Sequence, residues 1–426
     1  MAQIKPFRSL LYNQEKVDLR KVIMPPYDII KDGEVEMYYK KDPFNIIRVD
    51  KGCAGEDDGE RCNKYTRASD LLGEWMLDGV LAMDDKECLY GYTQQYSLPG
   101  GGIKEMTGFF ATVKLEEFEK KIILPHERTH SAAKKDRLEL MRATHANTSP
   151  ILSLYFDGDK KVHNLIKNAM KKKPFIDISG AGLLRSRLWK ISDKAVIKNI
   201  GALFSKKQLF IADGHHRYET ALNFRNEMRK KMGINDSPYE NIMMCLISME
   251  QSGISILPTH RVIKNFRKFD PQSQAVMEFF TVKKAASAAA LKKAMLKKSA
   301  AKKIGAAFGG KYYILELKQR EYGAVLPEGE HIKEYYLLPV SILHTLLFEK
   351  ILGIPEEEIL SGIEYTQDID EALAAAKKIK NSAAFLVEPS TVGEVKAISL
   401  NGEVMPQKST YFLPKIPTGL LINKMD

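Results

Sequence analysis

Residues 209–222, LFIADGHHRYETAL, contain the most unusual local pattern in the chain. The apolar run before them ends at the Asp213–Gly214 pair, which is typical of a strand entering a tight turn. From Tyr218 onward, apolar residues recur near helical spacing until Gly233, a residue type that often follows the last turn of a helix. The pattern therefore predicts a strand ending near Ala212, a turn, and a helix beginning near Tyr218.

The segments around this stretch extend the same alternation of strands and helices. Residues 241–248, NIMMCLIS, have the composition of a strand, and so do residues 44–50, FNIIRVD. Residues 134–146, KKDRLELMRATHA, favour a helix. Strands that alternate with helices indicate a mixed α/β (α+β) fold.

The length of the chain indicates more than one domain. A chain of 426 residues is too long for a single hydrophobic core. The texture changes near residue 270, where a segment rich in lysine and alanine begins. We therefore expect an α/β core over residues 1–270 and a C-terminal α/β domain over residues 271–426.

Composition excludes several classes of protein. A hydrophobic content of 44% with 28% charged residues is ordinary for a soluble globular protein. No apolar run is long enough to span a membrane, and the N-terminal segment lacks the pattern of a signal peptide, so a cytoplasmic location is expected. The cysteines match neither a disulfide framework nor a zinc-binding spacing and are expected to be reduced thiols.

The net charge of +11 raises the question of a nucleic-acid partner. The lysines are scattered in pairs, and the densest region, residues 283–303, contains no aromatic residue that could stack on a base. A solvated helix face explains this pattern better, so nucleic acid is not an expected partner.

The turn in residues 213–217 has the composition of a phosphate site. A helix N-terminus presents unpaired N–H groups and a partial positive charge. Gly214 allows a close backbone approach, His215 and Arg217 are expected to bind phosphate, and His216 could transfer protons. Asp213 could act as a base or share a magnesium ion. A common Asp-Gly turn with structural histidines is the plainer interpretation, but such clustering is uncommon without an anion or a metal.

A second loop, ILPHERTH at residues 123–130, offers further groups. His126 and Glu127 are predicted catalytic residues, and Glu127 is also a predicted ligand for a metal. His126 and His130 have a spacing that suits a metal, although the order of residues is not that of a zinc-protease helix. Phosphoryl transfer needs an acid or base opposite the phosphate, so we expect this loop to share a cleft with His216.

Other polar residues could contribute to the same chemistry. Arg142 is a predicted phosphate ligand. The remaining candidates are Arg137, Tyr27 and Asp28 in MPPYDII, and His260 and Arg261 in LPTHRVI. An ordinary loop or surface helix is an equally good interpretation of each of these alone.

Several of these stretches together resemble one family of prokaryotic proteins. MPPYDII, FNIIRVD, LPHERTH, KDRLELMRATHANTSP, LFIADGHHRYETAL, LPTHRVI and MPQKSTYFLPKIPTGLLI look like the family known as domain of unknown function 1015. The resemblance covers essentially the whole chain but implies no established reaction.

FIADGHHRYETA is also similar to the signature of the ParB and sulfiredoxin-like superfamily, whose mixed-sheet core the fold is then expected to contain. Free serine kinases of that superfamily carry the same Asp-Gly-His-His-Arg sequence and transfer phosphate from a nucleotide to L-serine. Only Asp213, Gly214, His215, His216 and Arg217 correspond residue by residue. Glu127 as the acid is a hypothesis from chemistry alone.

The resemblance and the residues together predict a nucleotide-dependent phosphotransferase that uses ADP or ATP with Mg²⁺ and acts on a small hydroxyl metabolite, with serine as the first candidate. One alternative is a metal-dependent nucleotide or phosphoester hydrolase, with His126, Glu127, Asp213 and His216 as ligands. Another is a ParB-like nucleotide-binding or nucleic-acid-binding protein, although no basic recognition helix is evident.

Overall fold

The computed structural model describes residues 1–129, 131–180, 183–264, 266, 269–297, 299–327, 330–355, 358, 362–379 and 381–425. Contacts divide the chain into two compact units, one of residues 1–255 and 414–426 and the other of residues 256–413. This division lies earlier than the boundary expected near residue 270, and it returns the C-terminal residues to the first unit.

The first unit contains a large mixed sheet. The strands before the division are β1 Ile4–Lys5, β2 Leu10–Tyr12, β3 Leu81–Met83, β4 Leu89–Ser97, β5 Ile103–Lys114, β6 Ile123–Leu124, β7 Ala146–Asn147, β8 Ile151–Tyr155, β9 Ile176–Gly180, β10 Leu183–Ile191, β11 Leu209–Asp213 and β12 Asn241–Ser248. The nine-stranded sheet has the order β6-β11-β8-β12-β5-β4-β10-β9, and β1 also pairs with β5. β6 is parallel to β11 and β8 is parallel to β12, whereas the other pairs are antiparallel.

The helices of this unit supply most of the remaining core. They are α1 Leu19–Val22, α2 Asp32–Lys41, α3 Ile47–Asp50, α4 Lys64–Leu77, α5 Ser131–Thr144, α6 Lys161–Ala169, α7 Lys194–Phe204 and α8 His215–Met232, with 3-10 turns at Tyr27–Ile29, Phe118–Lys120 and Pro238–Glu240. Tyr218 and Phe224 of α8, Ile200 and Phe204 of α7, and Phe109 of β5 belong to one buried cluster. The apolar residues predicted at helical spacing from Tyr218 onward are thus largely the buried residues of α8.

The order of strands explains why residues distant in sequence meet. β6 and β11 are parallel neighbours, so the segments that follow them leave the same edge of the sheet. β8 is antiparallel to β11, and Leu152 lies opposite Asp213, which puts the start of β8 at that edge as well. The segment after β6, the turn after β11 and the start of β8 therefore lie together at the N-terminus of α8.

The second unit contains an antiparallel sheet. β13 Ser255–Leu257 spans the division, and the strands that follow are β14 His260–Ile263, β15 Phe280–Ala285, β16 Lys303–Phe308, β17 Lys311–Leu317, β18 Ile363–Thr366, β19 Ala383–Val387 and β20 Tyr411–Leu413. Six of them form a sheet in the order β15-β17-β16-β19-β14-β18. The helical segments are α9 Gln274–Phe279, α10 Ala288–Leu296, α11 Gln319–Gly323, α12 Lys333–Tyr336, α13 Pro339–Ser341, a π-helix Ile342–Ile351, α14 Ile369–Lys378 and α15 Val392–Leu400.

Alternating residues bury both faces of this second sheet. Phe385 packs with Leu346 and Phe348 of the π-helix in one core cluster. Leu386, the next residue along the strand, packs with Leu291 of α10 in another cluster. Side chains that point alternately to the two faces of a strand explain this division. Both units combine helices with a sheet, and the predicted mixed α/β class is confirmed.

Two local expectations need correction. Residues 44–50 do not form the predicted strand, because Ile47–Asp50 is a helical turn and Asn45 Oδ1 accepts a hydrogen bond from the Ile47 N–H. An asparagine that caps the backbone in this way competes with extended structure. The second correction is that α8 begins at His215 and includes the histidines and arginine expected in the turn. Among the described residues, no helix is long and apolar enough to cross a bilayer.

Candidate functional site

The turn between β11 and α8 is built around a left-handed glycine. Gly214 has φ 96° and precedes the first helical residue. A Cβ at this position would lie 2.9 Å from Arg217 Nε, so both the backbone angle and the neighbouring guanidinium favour glycine. The N-cap residue, Gly214, has no side chain with which to cap the helix, and the first turn of α8 contains no acidic residue. The positive end of an 18-residue helix is therefore not neutralised by a residue of its own first turn.

Arg217 crosses this turn as a buried cation. Its side chain is 8% exposed, Nη2 donates to Asp213 Oδ2 at 2.7 Å, and Nη1 donates to the Pro150 carbonyl. Burial opposes the charge, but Asp213 and other acidic neighbours raise the pKa of the guanidinium above its ordinary value. The arginine is thus charged and fixed in orientation.

Asp213 binds two cations at once. Its second oxygen, Oδ1, lies 2.5 Å from Lys415 Nζ. Burial would raise the pKa of the Asp213 carboxyl, but Lys415 and then Arg217 outweigh that effect and lower it well below the usual range. The carboxylate is therefore ionised at neutral pH and joins the two cations.

His126 and His215 pack against each other beside Arg217. Their rings meet edge to face with centroids 4.6 Å apart, and both side chains are buried. His126 Nδ1 lies 2.8 Å from the Ile211 carbonyl oxygen and must donate to it, while His215 Nε2 accepts from the His126 N–H at 3.3 Å. These partners place the ring proton on Nδ1 of both histidines.

Burial keeps these two histidines uncharged. It lowers the pKa of His126 to about 4, and burial together with His126 lowers the pKa of His215 well below its ordinary value. His215 can therefore serve only as a neutral hydrogen-bonding group at pH 7. His215 Nδ1 lies 3.8 Å from Glu127 Oε2, so its proton faces that carboxylate.

A second carboxylate, Asp28, lies near the same cations. The surrounding protein and then the charge of Asp213 raise the pKa of the Asp28 carboxyl, while Arg217 and Lys415 act in the opposite direction. The side chain is nevertheless exposed to solvent, whereas Asp213 is half-buried. Two acids with pKa values shifted in opposite directions are a recurring arrangement in acid–base catalysis.

A polar layer lies behind Arg217. Arg137 Nη1 lies 3.4 Å from Asp50 Oδ1, its guanidinium stacks on the Tyr27 ring at 4.0 Å, and Thr148 Oγ1 donates to Asp50 at 2.5 Å. Arg137, Asp50 and Arg217 also line a cavity of about 30 Å³. Such a volume suits a water molecule and not a nucleotide.

The structure does not bring every predicted residue to this site. Arg142 pairs with Glu139 and Glu227 on the exposed faces of α5 and α8, so its guanidinium is engaged away from the turn. His216 is half-buried in the first turn of α8. His130 lies outside the described residues. Cavities of about 580 Å³ and 280 Å³ lie elsewhere in the first unit and contain none of the turn residues.

The metal prediction can be compared with the described side chains. Among the described residues, no group of three or more His, Cys, Asp or Glu side chains could hold a metal ion. Both oxygens of Asp213 are bonded to cations, which leaves this carboxylate poorly suited to a further cation. Asp213 therefore does not fit the role of a magnesium ligand, whereas Glu127 remains a prediction.

Sequence reasoning missed Lys415 as a site residue. It is 202 positions from Asp213, and no local periodicity links the two. The sequence offered one signal for Lys415. This residue lies within MPQKSTYFLPKIPTGLLI, one of the segments that resemble the family, and Asp50 and Thr148 lie within two other such segments. Most of these segments meet around Arg217, whereas LPTHRVI places Arg261 in the second unit.

Comparison with known proteins gives a family and distant structural similarities. The family model described as Protein of unknown function (DUF1015) matches residues 4–340. No match was found among curated proteins. A variant of free serine kinase in complex with ADP is 15% identical, with a TM-score of 0.34 over 76% of this chain and 96% of that chain.

Two other solved structures are similarly distant. A conserved hypothetical protein from Pyrococcus furiosus is 15% identical, with a TM-score of 0.33 over 73% of this chain and 93% of that chain. SbnI with a C-terminal truncation, from Staphylococcus aureus, is 14% identical, with a TM-score of 0.35 over 73% of this chain and 87% of that chain. Similarity at this level does not bear on activity, so function must be argued from the site.

Proposed function

From the premise that the chain belongs to the family of proteins of unknown function DUF1015, we propose that it is a nucleotide-dependent phosphotransferase. The proposed reaction moves a phosphoryl group from ADP or ATP to the hydroxyl of a small metabolite, and free serine is the first acceptor to test. The observation that carries the proposal is the start of α8, where a left-handed glycine, the N-terminus of an 18-residue helix and a buried arginine coincide.

The electrostatics of this turn suit a phosphate. The N–H groups of the first helical turn have no carbonyl acceptor within the helix, and a phosphate oxygen can accept from them. Arg217 adds a charged donor whose orientation is fixed by Asp213 and Pro150. Gly214 leaves room for the Arg217 guanidinium, which a Cβ at this position would contact at 2.9 Å. Preorganised donors of this kind supply most of the stabilisation that phosphoryl transfer needs.

The remaining polar groups can handle the proton of the acceptor. In the transfer, the bond between phosphorus and the leaving oxygen of the nucleotide breaks, and a bond forms from phosphorus to the hydroxyl oxygen. The hydroxyl proton must leave, and Glu127, facing His215 at 3.8 Å, is the proposed base. Asp28 is the second candidate, because its carboxyl has a raised pKa and is exposed. His126 and His216 are proposed to position these acids and the acceptor.

Magnesium enters the proposal only with the nucleotide. Mg²⁺ in such enzymes is commonly bound by one or two carboxylates together with the phosphates of the substrate. Glu127 could supply one such carboxylate. The hydrolase alternative required Asp213 as one of its metal ligands, but both carboxylate oxygens of Asp213 are paired with cations, so the geometry favours the transferase.

Calorimetric titration of the protein with ADP and ATP, with and without Mg²⁺, tests the binding step. Replacing Arg217 by alanine removes a charged phosphate donor, and such hydrogen bonds contribute about 1.5–3 kcal/mol, so nucleotide binding should weaken about tenfold to a hundredfold. Arg217→Lys retains the charge and serves as the variant if the alanine form does not fold.

Arg142→Ala is the matched control, because it also removes an arginine but one that pairs with Glu227 outside the turn. It should bind nucleotide as the wild type does. If the wild type binds neither nucleotide, the proposal fails. If binding is present, transfer of phosphate to serine and to other small hydroxyl compounds identifies the acceptor.

A further inference from the structure

The C-terminal segment, residues 414–426, is built into the first unit. Ile416, Leu420, Leu421, Ile422 and Met425 are buried. Thr418 and Met24 exchange backbone hydrogen bonds, and β21, Asn423–Lys424, pairs with β7. The Lys415 carbonyl accepts a hydrogen bond from Gln94 Nε2 at 3.1 Å. The backbone on both sides of Lys415 is therefore held in place, and the position of its side chain is a property of the fold.

Lys415 shares a carboxylate with Arg217. Its Nζ lies 2.5 Å from Asp213 Oδ1, while Arg217 Nη2 lies 2.7 Å from Oδ2. The two cationic side chains are 13% and 8% exposed, so both are largely removed from water. The charge of Asp28 also acts on both cations, and Asp50 adds to the negative charge around Arg217. Asp213 thus holds two cationic side chains close together, one at each of its carboxylate oxygens.

On the basis of this geometry, we propose that Lys415 is a second phosphate-binding cation of the site. The inference rests on the proposed function and extends it by naming a ligand group that the turn itself lacks. A lysine ammonium is a compact point charge and a common phosphate ligand, whereas Arg217 supplies a planar fork. Held on either side of Asp213, the two cations can contact different oxygens of one phosphate.

This arrangement gives the C-terminal segment a role in ligand binding. The segment follows the whole second unit in sequence, yet it supplies a charge to a turn of the first unit. In the present geometry Asp213 bonds to Lys415 and orients it before a ligand arrives. Preorganisation of this kind lowers the entropic cost of binding.

Titration of the full-length protein with ADP, and separately with inorganic phosphate, tests the inference. Lys415→Gln retains a hydrogen-bond donor for Asp213 but removes the charge, and ADP binding should weaken at least tenfold. Lys415→Arg restores a cation and should bind within about threefold of the wild type, which is a shift of less than 1 kcal/mol. Lys424→Gln, in the same C-terminal segment, is the matched control and should leave binding unchanged.

A purely structural role for Lys415 gives a different result. Lys415→Gln would then melt at a lower temperature but gain the same thermal shift from ADP and phosphate as the wild type, and this outcome would overturn the inference. If the glutamine variant does not fold, Lys415→Met and Lys415→Arg are compared in the same way, and equal ligand-induced shifts again reject it. Failure of the wild type to bind ADP rejects the phosphotransferase proposal instead, so the two failures are distinguishable.

Discussion

Arg217 in the first unit and Arg261 in the second are similar in sequence and different in surroundings. Each follows a histidine, and each has a buried side chain, with 7% and 0% relative exposure of the residue. Arg217 lies in the first turn of α8, where it faces the carboxylate of Asp213. Arg261 lies in β14, where Nη2 donates to the Gln407 and Lys408 carbonyls and Nη1 to that of Thr259.

The charge balance of the two arginines therefore differs. Asp213 raises the pKa of Arg217 against the effect of burial, whereas burial lowers the pKa of Arg261 to about 10. Carbonyl oxygens and the Tyr365 ring, with its centroid 5.4 Å away, surround Arg261. Uncharged partners of this kind can join β14 to neighbouring loops, but they provide no negative charge that could bind a second cation. The comparison teaches that the same His-Arg pair can belong to a network of charged groups in one unit and to a set of uncharged carbonyl contacts in the other.

The largest expected effect comes from removing the carboxylate that distinguishes the two regions. Asp213→Ala leaves Arg217 and Lys415 without their shared partner, and breaking a buried ion pair costs about 3–5 kcal/mol. The free energy of unfolding, measured by urea titration, should fall by that amount. Inorganic phosphate should then stabilise the variant more than the wild type, since it can replace the missing charge.

Asp177→Ala is the control for this prediction, because Asp177 pairs with Arg185 on the surface. Exposed pairs contribute about 0.2–1 kcal/mol, so its effect should be small and insensitive to phosphate. An equal loss of unfolding free energy in the two variants would show that the ion pairs of Asp213 contribute no more than a surface pair.

Replacing Arg261 should have a smaller effect that is confined to stability. Arg261→Met removes donors from three carbonyls, and each buried acceptor left without a partner costs about 1–3 kcal/mol. The relief of a desolvated cation offsets part of this cost, so we expect a net loss of about 2 kcal/mol by urea unfolding. ADP binding should not change. Weaker binding in this variant would contradict the separation of roles between the two arginines.

Buried histidines provide a comparison in which the two regions should behave alike. Burial lowers the pKa of His126 in the first unit to about 4 and that of His344 in the second to about 3. A histidine whose folded pKa lies below its unfolded value near 6.5 favours the unfolded chain when it is protonated. The stability contributed by each is complete above about pH 6.5 and is lost as pH falls towards the folded pKa.

Each such histidine should contribute up to about 1.4 kcal/mol per pH unit in this window. Unfolding of the wild type and of His344→Phe between pH 7 and pH 5 measures the contribution. The variant should show the shallower slope, and a slope equal to that of the wild type would indicate that His344 is protonated in the folded protein at these pH values.

Local features of the fold were predictable from sequence, whereas the long-range charge network was not. The strand that ends at Asp213 and the helix after the turn were predicted from apolar spacing and from the Asp-Gly pair, although the helix begins at His215 and not at Tyr218. The expectation that the loop of His126 lies near the start of α8 came from chemistry and not from a local pattern, because the proximity of His126 to His215 depends on the parallel pairing of β6 with β11. Ile47–Asp50 is a helical turn and not the predicted strand, because the Asn45 side chain accepts a hydrogen bond from the Ile47 N–H and so competes with extended structure.

Lys415 illustrates the same limit more strongly. Its position beside Asp213 depends on the return of the chain to the first unit after the whole of the second unit. Charge and residue type alone could not distinguish it from the other lysines of a basic chain. Arg142 was predicted at the site because arginine suits phosphate, but its neighbours Glu139 and Glu227 satisfy it on the helix surface. Residue chemistry identifies candidates, and only tertiary contacts select among them.

Replacing Arg142 should have the smallest effect on the free energy of unfolding, and this value is the reference for substitutions of the two buried arginines. Its side chain is 42% exposed, and its two ion pairs lie where solvent and salt screen them. Arg142→Ala should therefore lower the free energy of unfolding by at most about 1 kcal/mol, and added salt should reduce even that difference. Urea unfolding at low and at high salt measures both quantities. A loss as large as that of Asp213→Ala would mean that the packing of α5 against α8 depends on this surface pair. The exposed fraction of the side chain would then not distinguish an arginine with a structural contact from Arg217 at the turn.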